Sequence, residues 1–432
     1  MTAVPESRPA GTPGLLALPG IRTMRSAPFR LLVAAVLAAA GGARFIAALI
    51  QGSGFMHDYR FAFVPFATEA WAGINPFREI PISPPDRFYQ GVVGAVNTPP
   101  FLAMMWPWTV LPTTAGEVLW TGLEVLAIAA TLVLVYRAIG RPTTAEALVA
   151  VAVCLSIPAV TDNINQGQIA LFIAAAIALA LHSHQRGRPA LGGIALGLAV
   201  AARVTPVFLV AYFLWKRDLR LAAWAAATTV AACLATLALG WGGYWQGFLA
   251  GLDQMGRGTA NVLNQSLNGV LLRLWRPELS GMPIEAPPLG YRLLWIALAA
   301  VLVVGTIALL RGVRLPTIER EWVEVSLLLV ALTAAQPYAW TNHYAQALMV
   351  VPVAVRLVAR GVASIGATAV LVLTYLALVL LEFPLFSLAS DAGGDGMRGR
   401  PLLALAGSVS FFAALAVIGA FFRMGRARAP WS

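Results

Sequence analysis

The chain has 432 residues, of which 59% are hydrophobic and 11% are charged, and its formal net charge is +11. Soluble domains carry about 25% charged residues, so this composition excludes an ordinary soluble globular protein. The arginines fall in short clusters between long apolar runs, a pattern typical of cytoplasmic loops that argues against a nucleic-acid partner. Cys154 and Cys233 both lie inside apolar runs, so they support neither a disulfide framework nor a zinc site.

Apolar runs long enough to cross a bilayer as helices recur along most of the chain. The first, at about 31–50, follows three arginines, which places the N-terminus in the cytoplasm. We interpret 1–30 as a disordered cytoplasmic tail, 31–423 as the transmembrane domain and 424–432 as a second cytoplasmic tail. Further single spans are predicted at about 116–136, 145–160, 168–183, 219–240, 291–310, 323–335, 343–358, 364–384 and 401–422.

Two long connections are predicted on the outer face, at 51–115 and 241–290. Within the first, the apolar residues of 61–71 recur at near-helical spacing, which indicates a helix lying along the membrane interface. The run 101–111 is bracketed by prolines and is too short to span, so we predict a re-entrant or interfacial segment there.

The stretch 190–215 departs from this alternation of spans and loops. It lies between basic clusters at 186–188 and 216–220, both expected on the inner side, and a single span cannot begin and end on one side. Arg203 and Pro206 lie near its middle, and proline interrupts the helical hydrogen-bond ladder. We therefore predict two short helices that meet at a break with Arg203 at the outer tip, a feature that often marks membrane binding sites. The predicted class is an all-α polytopic integral membrane protein with about twelve transmembrane helices.

Five polar segments fall on the predicted outer face. Each has an ordinary interpretation, because amides cap helix ends, an arginine can extend to lipid headgroups and a histidine can lie at the interface. Together they offer a carboxylate that can act as a base, cationic groups and several amides, a set suited to a sugar and a phosphate. The segments are Asp58 with its neighbours, 162–168, Arg203, 264–269 and 336–344.

The same sequence argues against several other chemistries. It holds no glycine-rich phosphate loop, no Ser-His-Asp order and no His/Cys cluster for a metal, and we predict neither a metal nor a cofactor. Because cytosolic nucleotide sugars do not reach an outer-face site, the expected sugar donor is carried by a lipid.

These residues resemble the motifs of the polyprenyl-phosphate-dependent glycosyltransferases of family 87, which include mycobacterial phosphatidylinositol mannoside mannosyltransferases and belong to the C-type superfamily. The resemblance runs from about residue 45 to 360 as an ordered series. Three positions differ from the family's pattern, since Thr98 replaces an aromatic residue, Arg203 a lysine and Asn342 a histidine. The motifs are Asp58 after the first span, Thr98-Pro99-Pro100-Phe101, Asn165-Gln166-Gly167-Gln168-Ile169, Arg203-Val204-Thr205-Pro206, Asn264-Gln265-Ser266 and Trp340-Thr341-Asn342-His343.

The resemblance implies a C-type glycosyltransferase fold and an inverting enzyme. It would move a hexose, with mannose expected, from a polyprenyl-phosphate donor to a hydroxyl group of a glycolipid or glycan acceptor. The implied location is the bacterial plasma membrane, with the active site facing the exterior, membrane lipid as a partner and no nucleic acid. Asp58 is the expected general base, and Arg203 and His343 are expected to bind the donor phosphate. The expected sugar or acceptor contacts are Asn165, Gln168, Asn264, Gln265 and Asn342.

Two other functions are compatible with the sequence. A transporter or flippase of a lipid-linked sugar would also use a broken helix and a buried charge. No internal repeat is evident, however, and the polar residues gather on the outer face instead of the midplane. A non-enzymatic membrane scaffold would leave Asp58, Arg203 and His343 far apart in space.

Overall fold

The computed structural model describes residues 27–51, 56–77, 95, 97–279, 286–397 and 400–426. The predicted cytoplasmic tails lie largely outside these residues, as does part of the first outer connection. Within them every regular element is helical, which confirms the all-α prediction.

The helices follow one another through mostly short connections. In chain order they are α1 (Ala27–Gln51), a π-helix (Tyr59–Phe63) that continues into α2 (Val64–Trp71), α3 (Pro99–Met104), α4 (Trp106–Thr109), α5 (Thr113–Ile139), α6 (Thr144–Ser156), α7 (Pro158–Gln166), α8 (Ala170–Gln185), α9 (Pro189–Ala202), α10 (Val207–Trp215), α11 (Leu219–Ala238), α12 (Gly242–Arg257), α13 (Leu267–Trp275), α14 (Leu289–Leu310), α15 (Thr317–Ala335), a 3₁₀ helix (Thr341–Ala347), α16 (Val350–Ala359), α17 (Ile365–Met397), α18 (Pro401–Ala406) and α19 (Val409–Arg426).

Among the described residues, four helices are long and apolar enough to cross a membrane, namely α5, α11, α14 and the Ile365–Ser390 part of α17. The α6–α7 pair, bent by 54°, would form a fifth span. The bend lies at Ile157, whose φ of −70° and ψ of 135° are the extended geometry that the following Pro158 favours. Shorter apolar helices, including α8, α9 and α16, occupy other predicted spans. The count of twelve spans and the C-type fold remain predictions.

The two short helices predicted around Arg203 are present as α9 and α10. Glycines let α9 pack closely on α11, since a Cβ at Gly193 would lie 2.6 Å from the Leu221 carbonyl oxygen, and one at Gly197 2.6 Å from that of Ala225. Because these contacts advance in the same direction along both helices, α9 and α11 run parallel, and the chain turns back through α10 between them. Arg203 lies at this reversal in extended geometry, with φ −148° and ψ 130°.

Helices α5 and α8 also run side by side in one direction. Near their N-terminal ends the rings of Trp120 and Phe172 lie 5.0 Å apart. Near their C-terminal ends His182 hydrogen-bonds to the backbone of Leu134. Both helices therefore connect the neighbourhood of Asp58 with the opposite end of the bundle.

Both outer connections contain helices, and in the first of them the π-helix and α2 cover the stretch 61–71 that was predicted to be helical. The first holds the π-helix, α2, α3 and α4, and the second holds α12 and α13. Thr98 begins α3 by accepting a hydrogen bond from the Phe101 N–H at 3.2 Å, and Pro99 and Pro100 suit the first helical turn. The predicted short segment at 101–111 is thus divided between α3 and α4.

The predicted span at 343–358 begins with tighter geometry than an α-helix. Residues Thr341–Ala347 form the 3₁₀ helix, and regular α-helix starts only at Val350. His343 therefore lies on a turn ahead of α16 and outside the regular apolar helix. This turn packs against α15, whose residues 321–334 are all buried.

Candidate active site

Asp58 stands just ahead of the π-helix that follows α1. Two residues earlier, Met56 has a φ of 59°, a left-handed conformation that non-glycine residues seldom adopt. The Met56 N–H donates to the Asn165 carbonyl oxygen at 2.5 Å, and the Met56 side chain is fully buried. The backbone that carries Asp58 is thus held against the end of α7, and strained geometry of this kind is concentrated at functional sites.

Gly167 allows the close approach of these two segments. It ends α7 in a left-handed conformation with φ 67°, after which the Gln168 N–H donates to a carbonyl oxygen of the last helical turn at 2.8 Å. A Cβ at this position would lie 2.7 Å from the Cβ of Tyr59. Glycine is therefore required here both for its backbone conformation and for the packing of the Asp58 segment.

A series of side-chain hydrogen bonds reaches Asp58 from inside the bundle. The Gln168 amide donates to Asp58 Oδ2. The Asn163 amide donates to the Gln168 carbonyl oxygen at 3.0 Å and to Glu124 Oε1 at 2.7 Å. Glu124 and Asn163 are fully buried, so Gln168 is held by a rigid support. The result is an amide whose N–H is aimed at the carboxylate of Asp58.

Three residues of this region were not assigned by the sequence interpretation. Glu124 is an isolated carboxylate inside an apolar helix, which by itself is a signal of function, and Asn163 and Asp162 lie in the polar stretch 162–168. Asp162 Oδ2 accepts a hydrogen bond from the Asn342 N–H at 3.2 Å, and its carboxylate interacts electrostatically with Asp58. The region thus contains two neighbouring carboxylates. In the described residues no group of three or more His, Cys, Asp or Glu side chains could hold a metal ion.

Arg203 and His343 come together at the chain reversal. They interact electrostatically, and the Gln336 amide joins their segments by donating to Thr205 Oγ1 at 3.1 Å. Burial, and after it the positive charge of Arg203, lower the pKa of His343 well below its ordinary value, so the imidazole is neutral at pH 7. Since Asn342 binds Asp162, Asp58 and the Arg203–His343 pair belong to one connected region. A scaffold in which these groups lie apart does not fit this arrangement.

Arg60 is occupied by a different partner. Its Nη2 donates to Glu117 Oε2 at 2.8 Å and its Nε donates to Oε1, which makes a bidentate ion pair. The neighbouring His57 places Nδ1 3.2 Å from Asp58 Oδ1. The charge of Arg60 is therefore balanced by Glu117, and Arg203 is the guanidinium that the connected region offers to an anion.

Four predicted site residues each carry a buried polar atom with no hydrogen-bond partner in the described part of the chain. Native structures leave few such atoms unpaired, and each one calls for an explanation such as a ligand or a solvent molecule. The atoms are Asn165 Oδ1, Arg203 Nη1, Asn342 Oδ1 and His343 Nδ1. A polar ligand in this region would meet two amide oxygens, a guanidinium nitrogen and a ring nitrogen.

Asn264 lies in different surroundings. Its Nδ2 donates to the carbonyl oxygens of Thr259 and Pro337, both at 3.0 Å. Its Oδ1 accepts from the Ser266 hydroxyl at 2.8 Å and from the Ala339 N–H at 3.0 Å. The side chain is fully buried, and it fastens the second outer connection to the segment that follows α15.

Gln265 has a similar structural setting. Its Nε2 donates to the carbonyl oxygens of Val262 at 2.6 Å and Gly407 at 2.7 Å, and its Oε1 accepts from the Ser410 N–H at 3.2 Å. The residue is 2% exposed. Both Asn264 and Gln265 therefore use their amides on protein partners, whereas Asn165 and Asn342 each keep an oxygen that no described residue bonds.

Comparison with known proteins assigns the chain to a family. Residues 96–337, more than half of the chain, match glycosyltransferase family 87. The chain belongs to this family. The matched segment contains Gln168, Arg203 and Asn264, while Asp58 precedes it and His343 follows it. The family membership that the motifs predicted is thereby confirmed.

Two curated relatives give the comparison more detail. A polyprenol-phosphate-mannose-dependent alpha-(1-2)-phosphatidylinositol mannoside mannosyltransferase of Mycolicibacterium smegmatis is 32% identical over 267 residues, which are 57% of this chain and 58% of the relative. The protein of the same name from Mycobacterium tuberculosis is 29% identical over 155 residues, 35% of this chain and 33% of the relative. The chain therefore matches these relatives over less than two thirds of their length. No solved structure matches it significantly.

Proposed function

We propose that the protein is a membrane glycosyltransferase that moves a mannosyl residue from a polyprenyl-phosphate donor to a hydroxyl group of a lipid or glycan acceptor. Membership of family 87 supports sugar transfer, and both relatives are named as polyprenol-phosphate-mannose-dependent enzymes that act on phosphatidylinositol mannoside. The observation that carries the proposal is the connected polar region, in which Asp162 and the Asn342–His343 turn link the Asp58 carboxylate to the Arg203 guanidinium. A glycolipid is the class of acceptor that the relatives' names favour.

Asp58 is the proposed general base. Its carboxylate takes the proton of the acceptor hydroxyl while the acceptor oxygen forms a bond to the anomeric carbon. The bond between that carbon and the donor phosphate oxygen breaks, and polyprenyl phosphate leaves from the opposite face, so the configuration inverts. A positioned base contributes a factor of about 10² to 10⁴ to the rate. Gln168, held by Asn163, would keep the carboxylate oriented for this step.

Arg203 is the proposed ligand of the donor phosphate. Its Nη1 is buried and has no partner in the described residues, so it can donate a charge-assisted hydrogen bond to a phosphate oxygen. The same contact strengthens as negative charge develops on the leaving phosphate. Neutral His343 adds a polar ring nitrogen beside it, and an anionic phosphate would favour its protonated form.

The amides divide into two proposed roles. Asn165, Gln168 and Asn342 belong to the connected polar region, where their groups can contact the sugar or the acceptor. For Asn264 and Gln265 the buried, fully engaged amides favour a framework role that holds two outer segments together. We therefore propose that these two residues shape the site without contacting the sugar.

The charge distribution supports an exterior-facing site in a bacterial plasma membrane. Helices α5 and α8 start near Asp58, and their far ends carry Arg137, Arg141, Arg186 and Arg188. Clusters of arginine mark the cytoplasmic side of membrane proteins. The Asp58 end would then face the exterior, where the donor is a lipid-linked sugar.

The test uses the purified full chain in liposomes of neutral lipid, with radiolabelled polyprenyl-phosphate mannose and phosphatidylinositol mannoside. We expect label to move to the acceptor with no ion gradient present. Arg203→Ala should raise the apparent KM for the donor about tenfold or more, because a hydrogen bond to a charged group is lost. Arg292→Ala is the matched control, since Arg292 lies on α14 and its side chain pairs, among the described residues, with Asp253 at 4.0 Å.

Three outcomes would contradict parts of this proposal. No transfer with any lipid-linked sugar, together with movement of the donor between leaflets, would support a flippase built on the broken helix at Arg203. Transfer of another sugar would leave the reaction class intact and refute mannose. An unchanged donor KM in Arg203→Ala would remove Arg203 from the phosphate.

A further inference from the structure

A second polar region lies at the end of the bundle away from Asp58. It is a cavity of about 530 Å³ between the C-terminal ends of α5 and α8 and the turns that follow them. Its polar lining consists of Tyr136, Arg137, Arg141, His182, Arg186 and Arg188.

The lining carries an excess of positive charge. None of the lining residues is a carboxylate, and none of the four arginines forms an ion pair within the described residues. Arginines just outside the cavity behave differently, since Arg356 pairs with Glu146 at 2.7 Å and Arg360 pairs with Glu319. Unlike these two neighbours, the four cavity arginines have no carboxylate partner in the described part of the chain.

His182 adds a second observation inside the same cavity. Its Nδ1 is buried and has no hydrogen-bond partner among the described residues, while its ring interacts with the Leu134 backbone. A neutral histidine beside several arginines can donate to or accept from a ligand that carries negative charge. The cavity thus combines guanidinium groups with a ring nitrogen that has no hydrogen-bond partner in the described ranges.

The cavity is well separated from the candidate active site. On α5, Glu117 binds Arg60 next to Asp58, and Arg137 lies twenty residues further along the same helix. At 1.5 Å per residue the two ends are about 30 Å apart, which is close to the thickness of a bilayer core. A ligand in the cavity could not touch the reacting atoms.

We propose that this cavity binds a phosphate group, as a mono- or diester. Four arginines supply planar forks that match phosphate oxygens, and the absence of a carboxylate from the lining leaves their charge for a ligand. The volume of the cavity exceeds that of inorganic phosphate and can hold a phosphorylated headgroup. Anionic membrane lipids and soluble phosphorylated compounds both carry such a phosphate, and the experiment below separates these sources.

The test compares wild type with the double variant Arg137→Gln/Arg186→Gln. Both arginines are exposed and have no ion-pair partner among the described residues, so the variant should fold, which gel filtration and thermal unfolding would check. The matched control is Arg311→Gln/Arg314→Gln, which removes two exposed arginines from the turn between α14 and α15. That turn lies at the same end of the bundle, since Arg360 bonds both Glu319 and the Ile139 carbonyl oxygen.

Two probes give the readout. Native mass spectrometry after mild delipidation counts phosphatidylglycerol retained from nanodiscs, with phosphatidylcholine nanodiscs as reference. Titration calorimetry in detergent measures the affinity for inorganic phosphate and glycerol 3-phosphate. We expect the cavity variant to bind roughly tenfold more weakly than wild type and the control to bind equally well.

Each outcome decides the proposal. Cavity-dependent retention of phosphatidylglycerol assigns the phosphate to a lipid, and cavity-dependent binding of the soluble probes without lipid retention assigns it to a soluble compound. If neither depends on Arg137 and Arg186, or if the control loses as much binding, the arginines serve only to orient the chain in the membrane and the proposal is wrong. Sugar transfer, measured in parallel, should persist in the cavity variant.

Discussion

Two amide-rich stretches, 165–168 and 264–266, carry similar side chains and lie in different surroundings. In the first, Gln168 donates to the carboxylate of Asp58, and the Asn165 side-chain oxygen has no partner within the part of the chain that the structure describes. In the second, the Asn264 and Gln265 amides are fully buried, and every polar atom of each has a protein partner. An amide in the first stretch can form hydrogen bonds to a ligand, whereas the amides in the second stretch already form theirs to other parts of the protein.

This difference shows how a motif that binds a ligand can be distinguished from one that stabilises the fold. Buried amides lower the free energy of the fold only when their hydrogen bonds are satisfied, and a satisfied amide has nothing left to offer a substrate. A buried amide with one unpaired oxygen, as at Asn165 and Asn342 among the described residues, is tolerated where a ligand or a solvent molecule supplies the missing hydrogen bond. Substitutions in the first stretch should therefore lower activity, whereas substitutions in the second should lower the stability of the fold.

The largest effect is expected from Asp58→Asn, which removes the carboxylate that is proposed to take the proton of the acceptor hydroxyl. The substitution keeps an acceptor for the Gln168 amide and the size of the side chain, so folding should be unchanged. We expect kcat for sugar transfer to fall about 10²- to 10⁴-fold in the liposome assay.

The control for this variant is Asp253→Asn, which removes a carboxylate on α12 that pairs with Arg257 at 2.7 Å. It should retain wild-type turnover. Turnover within a few-fold of wild type in a folded Asp58→Asn protein would exclude Asp58 as the base.

The next largest effect is expected on stability, from Asn264→Ala in the second stretch. This change removes the amide that bonds the Thr259 carbonyl oxygen and the Ala339 N–H. It leaves the Pro337 carbonyl oxygen with longer bonds, from Ser266 at 3.4 Å and from Asn268 at 3.3 Å. We expect the free energy of unfolding to fall by about 2 to 5 kcal/mol, measured by denaturant titration in detergent. A stable variant with a selective loss of sugar affinity would contradict the framework role.

Gln168→Ala tests the contact between the first stretch and Asp58. The Gln168 side chain donates to Asp58, so its loss frees the carboxylate to move while the backbone bond from Asn163 persists. We expect kcat to fall about tenfold, the cost of one hydrogen bond to a charged group, with donor KM within about twofold of wild type. Equal losses in Gln168→Ala and Gln185→Ala, a glutamine at the far end of α8, would exclude a positioning role.

Asn165→Ala should give the smallest effect. Its backbone carbonyl still accepts from Met56, and its side-chain oxygen has no partner to lose in the described residues. We expect unfolding free energy within about 0.5 kcal/mol of wild type and a rise of about two- to fivefold in KM for donor or acceptor. A stability loss comparable to that of Asn264→Ala would erase the distinction between the two stretches.

Local patterns predicted much of the helical framework. The apolar runs form helices, although the runs predicted as single spans at 145–160 and 401–422 are each divided into two helices. The arginine clusters with Pro206 predicted the reversal at Arg203. These features depend on composition and on neighbouring residues, because helix length follows from the apolar run and proline acts on the preceding turn. The number of membrane spans cannot be counted from these local patterns alone. The sequence of a short or bent helix, such as α6 or α7, does not show whether that helix crosses the membrane.

The candidate site was only partly accessible from sequence. Asp58 and Arg203 were identifiable as charges out of place in an apolar chain. The support of Asp58 by Asn163 and Glu124 was not, because these residues lie 105 and 66 positions further along and meet only after α5, α7 and the Asp58 segment have packed. The ion pair of Arg60 with Glu117 is another contact across 57 positions that no local pattern reports.

By itself the sequence determined that this is an apolar helical chain, that its helices break at Arg203 and which family it belongs to. Hydrophobic burial and backbone hydrogen bonding act locally enough for that. Only the tertiary structure decided which amides face Asp58, which ones lock the outer segments, and that unpaired arginines gather about 30 Å away along α5. The physical reason is that hydrogen-bond satisfaction is a property of neighbours in space, so two stretches of the same amides acquire opposite roles.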